Sequence, residues 1–319
     1  MVASGFPVVF IMGPTASGKT DAAARIHDAL DSELISVDAA QIFRGMDIGT
    51  AKPDTTFLTK YPHHLIDIRK FTENYSAANF CTDSAELIEA IGLKNRLPVF
   101  VGGTMFYFSA LENGLSDLPS ASAELRKQLE SEISERGIEA MHAQLLALDP
   151  VAGKRIKPAD YQRITRALEI YRITGEPPTR VMAKSRMPGL VRAPVKIALF
   201  TSDRKILHDR IEARFRMMVD NGLLAEVKML LEDIDNPEEL VSMKCVGYRQ
   251  VLHFLEGKCS HEEMIQNGIA ATRQLAKRQL TWLRNQSNIV WFDSSRENVA
   301  NSVISYLKAR LYGSIRELK

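Results

Sequence analysis

Two hydrophobic rhythms alternate along the first 120 residues of this chain. Val8-Val9-Phe10-Ile11-Met12, Leu34-Ile35-Ser36-Val37 and Leu97-Pro98-Val99-Phe100-Val101 are short apolar runs with the length of buried strands. His64-Leu65-Ile66-Asp67-Ile68 reads as a further short strand. Between these runs the apolar spacing is helical. Residues 20–30 carry an Ala-rich inner face suited to packing on a sheet, and residues 76–92 turn Phe80, Leu87, Ile88 and Ile91 to the core. Strands alternating with helices predict a parallel sheet with right-handed crossovers, and hence an α/β fold.

The rhythm changes near Leu118-Pro119-Ser120. Leu125, Leu129 and Ile133 then recur at helical spacing, a second helix covers about 138–148, and a third runs from an N-cap at Asp160 to Gly175. On the third, Tyr161, Ile164, Leu168 and Tyr171 share an apolar face, with Gln162, Arg163, Arg166 and Glu169 largely opposite. Residues 177–194 read as loop, and Val195-Lys196-Ile197-Ala198-Leu199-Phe200 as a strand returning to the sheet. The expected organisation is a core of residues 1–118 and 195–319 interrupted by a mainly helical insertion, 119–194. After the return, helices are expected over 206–219, 223–231 and 261–284, then a strand at 288–292 and a helix at 299–311.

Composition narrows the class. The 319 residues are 45% apolar and 25% charged, ordinary for a soluble globular chain. Cys81, Cys245 and Cys259 are scattered and form neither a disulfide framework nor a metal pair, which suits a reducing compartment. No signal segment opens the chain, and no apolar run approaches the ~18 residues of a membrane helix. A cytoplasmic protein without a membrane partner is expected. The net charge of +2 conceals a basic block: residues 154–192 carry ten Lys/Arg against three Asp/Glu. Such a block suits a polyanion, or is simply a solvated face.

The first apolar run ends in Gly13-Pro14-Thr15-Ala16-Ser17-Gly18-Lys19-Thr20, a G-x-x-x-x-G-K-T loop between strand and helix. Its backbone N–H groups converge on phosphate oxygens, Lys19 reaches the phosphates, and the Thr20 hydroxyl faces a Mg²⁺ ion. Alone, the loop predicts a P-loop nucleotide-binding, ATP-using enzyme. Asp38 ends the next strand, where it suits a Mg²⁺-holding acid, a general base or a turn cap. Gly102-Gly103-Thr104 follows a third strand, where Thr104 suits a donor to a phosphate oxygen or a helix N-cap. The loops 13–20, 38–41 and 102–104 cluster at the carboxyl edge of a parallel sheet. Gln162 and Arg166, one helical turn apart, suit base edges and phosphates, or a solvated helix face. The runs 244–250 and 277–284 mix cations with an aromatic and suit nucleic acid. Trp282 by itself suits core packing, and His63-His64 a turn.

These residues resemble the tRNA dimethylallyltransferases. The resemblance rests on the glycine loop, on Asp38 with Gln41, and on Phe43-Arg44-Gly45-Met46-Asp47-Ile48-Gly49-Thr50-Ala51-Lys52-Pro53. It rests also on Gly102-Gly103-Thr104, Gln162-Arg163-x-x-Arg166, Gly247-Tyr248-Arg249-Gln250 and Lys277-Arg278-Gln279-x-x-Trp282, and it spans about residues 8–292. It implies transfer of a dimethylallyl group from dimethylallyl diphosphate, with Mg²⁺ as cofactor, to N6 of the adenine beside the tRNA anticodon. It also implies a P-loop-type core and a helical insertion that grips the anticodon stem-loop.

The implied catalytic residues are Asp38, Thr104 and Lys19, with Gly13, Pro14, Thr15, Ala16, Ser17, Gly18, Lys19 and Thr20 around the diphosphate and Thr20 on the metal. The implied tRNA contacts are Asp38, Ala39, Ala40, Gln41, Thr104, Arg126, Gln162, Arg163, Ile164, Thr165, Arg166, Lys244, Gly247, Tyr248, Arg249, Lys277, Arg278 and Arg284. Ala39 and Phe43 stand where family members usually have Ser and often Tyr, so each lacks a hydroxyl available to tRNA. The family's eukaryotic members carry a C-terminal zinc finger. With no C-x-x-C pair, a bacterial-type member is expected, and a monomer. A kinase or ATPase, or a prenyltransferase acting on free adenine nucleotides, remains the alternative. The basic insertion argues against the last.

Overall fold

The structure, a computed structural model, describes residues 5–120, 122–184 and 186–315. Residues 1–4, 121, 185 and 316–319, which belong to the expected core and insertion, lie outside the described residues. The chain forms β1 (Val9–Met12), α1 (Lys19–Ala29), β2 (Ser32–Val37), α2 (Thr55–Lys60), β3 (His63–His64), α3 (Ala77–Leu93), β4 (Leu97–Gly102) and α4 (Met105–Asn113). There follow β5 (Leu115–Ser116), α5 (Ala123–Arg136), α6 (Ile138–Leu148), α7 (Pro150–Arg155), α8 (Tyr161–Thr174), α9 (Pro178–Lys184) and β6 (Arg186–Met187). The last part holds β7 (Val195–Phe200), α10 (Arg204–Asp220), α11 (Leu223–Leu230), α12 (Tyr248–Leu255), α13 (His261–Arg284), β8 (Ile289–Asp293) and α14 (Val299–Ile315).

Two compact units result, Met1–Glu112 with Leu190–Lys319, and Asn113–Gly189. The first is built on a six-stranded sheet ordered β3-β2-β4-β1-β7-β8, parallel throughout. It is an α/β core of the P-loop type. The pleat of β1 divides the interior. Val9 and Ile11 pack with Ala22, Ala23 and Ile26 of α1 and with Val303 and Leu307 of α14. Phe10 and Met12 face Phe80, Phe100 and Phe108 on the other side. Both faces of β1 are therefore dry, which is why its sequence is unbroken apolar.

The second unit, mainly helical, has its own small core of Leu129, Met141, Leu145, Ile164 and Leu168. Glu169 lies inside it at 0% exposure, although the helical spacing placed it on the polar face. Three donors explain its burial: the Ser122 N–H at 3.0 Å, Arg166 Nη1 at 2.6 Å and Arg126 Nε at 3.4 Å. A buried carboxylate survives only when so paired. Conversely Tyr161, expected on the apolar face, is 40% exposed.

Three local expectations also change. The strand expected over 64–68 stops at His64, because Leu65 and Asp67 take left-handed φ of 64° and 56°. His63 and His64 are thus strand residues, and His64 Nε2 meets Glu33 at 2.8 Å. The loop expected over 177–194 contains α9, and β6 within it pairs antiparallel with β5.

Tyr248 is the largest revision. Its aromatic ring, expected at tRNA, is 0% exposed, and its hydroxyl donates to Glu226 Oε1 at 2.6 Å. Gly247 and its φ of 95° form the turn into α12, so neither residue presents a side chain to a partner. The same Glu226 accepts from the backbone N–H groups of Asp47, Ile48 and Gly49 at 3.0, 2.7 and 3.1 Å. Tyr248 and α11 thereby fix the 46–49 turn. Tyr248→Phe should lower stability by about 1–3 kcal/mol, the usual cost of leaving a buried acceptor short of a donor. Urea unfolding measures this, and a loss below about 0.5 kcal/mol would contradict it.

Candidate diphosphate and acceptor site

The loops after β1, β2 and β4 leave the same carboxyl edge of the sheet, where β1 and β2 flank β4. After Met12 the chain turns through Ala16 at φ 62° and Gly18 at φ 77°, and Gly18 opens α1 as its N-cap without a side-chain cap. The first N–H groups of α1 are therefore left for an anion. Ser17 is buried under the loop. Lys19 Nζ bends back to donate to the Pro14 carbonyl at 2.6 Å and lies 3.5 Å from Ser17 Oγ.

Burial, aided by the neighbouring Arg214 charge and opposed by Asp38, lowers the Lys19 pKa to about 7. Asp38 is pushed the other way. Burial raises its pKa, against the pull of the Ala40 and Gln41 N–H groups and the charges of Lys19 and Lys52. Its Oδ1 accepts from Ala40 N at 2.9 Å and Gln41 N at 3.4 Å. Those two bonds turn the chain after β2 and aim the carboxylate along the pocket wall. Thr104 Oγ1 accepts the Ala39 N–H at 3.0 Å, while the Thr104 N–H donates to Val37 O at 3.1 Å. The Thr104 hydroxyl proton stays available for a phosphate oxygen.

The 43–53 segment closes a further side. Lys52, 3% exposed in its side chain, bridges Asp47 and Asp67, each at 2.5 Å, and donates to Phe43 O at 2.9 Å. Gln41 Nε2 donates to Thr50 O at 3.3 Å. Phe43 is itself buried at 2%, so the hydroxyl it lacks bears on packing rather than on a partner.

Together these elements line one pocket of about 630 Å³. Thr15, Ala16, Ser17, Gly18, Lys19, Thr20, Asp38, Ala39, Ala40, Gln41, Thr104, Lys244 and Arg278 lie in its wall. Gly13 and Pro14 are loop residues outside the lining. Arg249, Lys277 and Arg284 are exposed on the same unit but do not line it. In the helical unit Gln162 and Arg163 are exposed, the latter paired with Asp160 at 2.7 Å. Ile164 is fully buried and Thr165 nearly so, its hydroxyl donating to Tyr161 O, so both serve packing there. Arg166 and Arg126 hold Glu169, and Arg166 also donates to Pro119 O at 2.7 Å.

The wall also contains residues that the sequence pattern did not single out for this site. Arg214 is a mostly buried cation whose pKa burial lowers, and it shares the pocket with Lys19. Ile211, Phe215, Met218, Leu275 and Trp282 supply an apolar stretch. Trp282 is thus half-buried in the pocket wall as well as packed on the core. Arg214 lies three residues after buried Ile211 on α10. A cation on an apolar stripe was the available signal. Cys245 also lines the pocket, but burial pushes its thiol up to about 12, which leaves it unreactive. Among the described residues no three His, Cys, Asp or Glu side chains converge to cage a metal. A Mg²⁺ ion at Thr20 fits this setting if bound phosphate oxygens complete its shell, as is usual for that ion.

A family model described as IPP transferase matches residues 41–286. The tRNA dimethylallyltransferase of Halorhodospira halophila is 49% identical over 96% of this chain and 99% of that relative. That of Thiobacillus denitrificans is 47% identical over 96% and 97%. Among solved structures, the tRNA isopentenylpyrophosphate transferase of Bacillus halodurans superposes with TM-score 0.69 at 36% identity, covering 98% of this chain and 97% of its own. A eukaryotic dimethylallyltransferase described as acting on tRNA superposes with TM-score 0.78 at 25% identity, covering 97% and 79%.

The lowered Lys19 pKa has a measurable consequence. With its pKa lowered to about 7, Lys19 is largely neutral at pH 8 in the free protein. A bound diphosphate favours the charged form, so at pH 8 binding should draw in more protons in the wild-type protein than in Lys19→Arg, whose guanidinium is always charged, and the two should differ far less at pH 6. Calorimetry of inorganic diphosphate in two buffers of different ionisation enthalpy reads this directly. Equal uptake by wild type and Lys19→Arg at pH 8 would contradict the lowered lysine pKa.

Proposed function

The chain belongs to the IPP transferase family of tRNA dimethylallyltransferases, and from that premise we propose how its pocket works. It transfers the dimethylallyl group of dimethylallyl diphosphate to N6 of the adenine beside the tRNA anticodon and releases diphosphate. The observation that carries this reading is a single pocket. In it a phosphate loop with two half-buried cations, Lys19 and Arg214, shares the wall with a half-buried carboxylate, Asp38.

The loop N–H groups, Lys19, Arg214 and the Thr104 hydroxyl hold the diphosphate, and Thr20 is the residue that would hold a Mg²⁺ ion. That ion, when bound, neutralises charge that grows on the leaving oxygens. The apolar residues Phe215, Met218 and Trp282 are suited to the five-carbon chain. The adenine reaches the pocket flipped from the anticodon loop. As N6 attacks the allylic C1, the C1–O bond breaks and its electron pair leaves with the diphosphate. Asp38 accepts the N6 proton. Burial holds its pKa above the usual carboxylate range, closer to working pH, which strengthens it as a base.

The tRNA contacts we propose are the exposed cations Lys244, Arg249, Lys277, Arg278 and Arg284, with Gln162 and Arg163 of the helical unit gripping the anticodon stem-loop. No helix among the described residues is long and apolar enough to cross a membrane, and we place the protein, as a monomer, in the cytoplasm.

Wild-type protein with dimethylallyl diphosphate, Mg²⁺ and bulk tRNA should yield N6-dimethylallyl adenosine on nucleoside analysis. In single-turnover assays Asp38→Ala should slow formation by about 10²–10⁴-fold while tRNA affinity persists. Near-normal turnover would remove Asp38 as the base. Replacing Lys277, Arg278 and Arg284 together by Ala should flatten the slope of log affinity against log salt by about 3. An unchanged slope would place tRNA elsewhere.

A further inference from the structure

Gln279 occupies a position on α13 that its neighbours give to apolar side chains. It follows buried Ala276 by three residues and precedes buried Leu283 by four, whereas Lys277 and Arg278 are exposed. Its amide meets two loops at once. The Thr15 N–H donates to Gln279 Oε1 at 2.9 Å, and Gln279 Nε2 donates to the Gly103 carbonyl at 2.8 Å. A backbone N–H can only donate and a carbonyl can only accept, so one amide orientation serves both. Leu at this position would lose both bonds, and Glu could accept from Thr15 but not donate to Gly103.

Gly103 is shaped by the same contact. A Cβ there would sit 2.5 Å from Gln279 Nε2, so the absent side chain makes room for this amide. The next residue, Thr104, holds the Ala39 N–H, and Ala39 follows Asp38. An unbroken path therefore runs from the phosphate loop through Gln279 and Gly103-Thr104 to the carboxylate.

We propose that Gln279 is a positioning residue that fixes the distance between the diphosphate cradle and the Asp38–Thr104 edge. This role rests on the prenyl-transfer reading given above. In-line displacement needs leaving oxygen, C1 and acceptor nitrogen aligned, and displacements of about 1 Å cost on the order of 10²-fold in rate. Gln279 fixes that alignment through its bonds to two loops, while its helix exposes Lys277 and brings Arg278 to the pocket wall.

The test uses the full chain with Gln279→Leu and Gln279→Glu. Without ligand, the Thr15 amide should exchange at least tenfold faster in the Leu variant and stay protected in the Glu variant. The Kd of inorganic diphosphate should rise tenfold or more in the Leu variant, with tRNA Kd within twofold of wild type. Turnover should fall in both variants, since both lose the Gly103 bond. Unchanged Thr15 exchange in the Leu variant, unchanged diphosphate affinity, or a parallel loss of tRNA affinity would each overturn the role. If wild-type protein forms no prenylated adenine, the prenyl-transfer reading fails, and the exchange and diphosphate arms still judge the bridge.

Discussion

Everything in the pocket depends on placing opposite charges, Lys19 and Asp38, together in a half-buried wall. Burial drives both towards neutrality, lowering the lysine and raising the carboxyl. Neither is tied up by the other. Lys19 leans on its own loop through Pro14, and Asp38 is held by the N–H groups of Ala40 and Gln41. Each charge is thereby left to be completed by something that enters, an anion for the lysine and a proton for the carboxylate. In the mechanism we propose, that division gives the leaving group to one wall and the acceptor nitrogen to the other.

The parallel sheet makes the arrangement possible. β4 lies between β1 and β2, so the loops that follow these three strands are adjacent at one edge. Distant segments then brace them. Glu226 and Tyr248 fix the turn at 46–49, Lys52 draws Asp47 and Asp67 together, and Gln279 spans Thr15 and Gly103. The long family signature from Phe43 to Pro53 is accordingly a set of partners for buried charges, with its backbone N–H groups aimed at Glu226. An enzyme that must hold a diphosphate in line with an incoming base gains from such bracing, because loops alone do not fix geometry to fractions of an ångström.

Local features were readable in the chain itself. β1, the glycine loop, α1 and the position of Asp38 follow from residues within 30 of one another, where period and turn chemistry decide the outcome. What escaped depends on distant partners. Gln279 meets Thr15 across 264 positions, and Glu226 meets Asp47 across 179. Tyr248 looked like a nucleic-acid contact because it stands among cations, yet its hydroxyl serves Glu226 inside the core. Glu169 broke its helical pattern for the same reason, since Arg126 and Arg166 reach its buried carboxylate from the surface. A polar or charged residue on an otherwise apolar stripe, as at Arg214 and Gln279, was the trace these sites left in the sequence.

The glycine loop, which by itself suggests consumption of a nucleotide, holds a departing diphosphate in the mechanism we propose. The most direct measurement is therefore stoichiometric. With dimethylallyl diphosphate, Mg²⁺, ATP and bulk tRNA together, diphosphate release should match N6-dimethylallyl adenosine one for one, with ATP unconsumed. Hydrolysis of ATP in step with turnover, or diphosphate release without modified adenosine, would contradict the account.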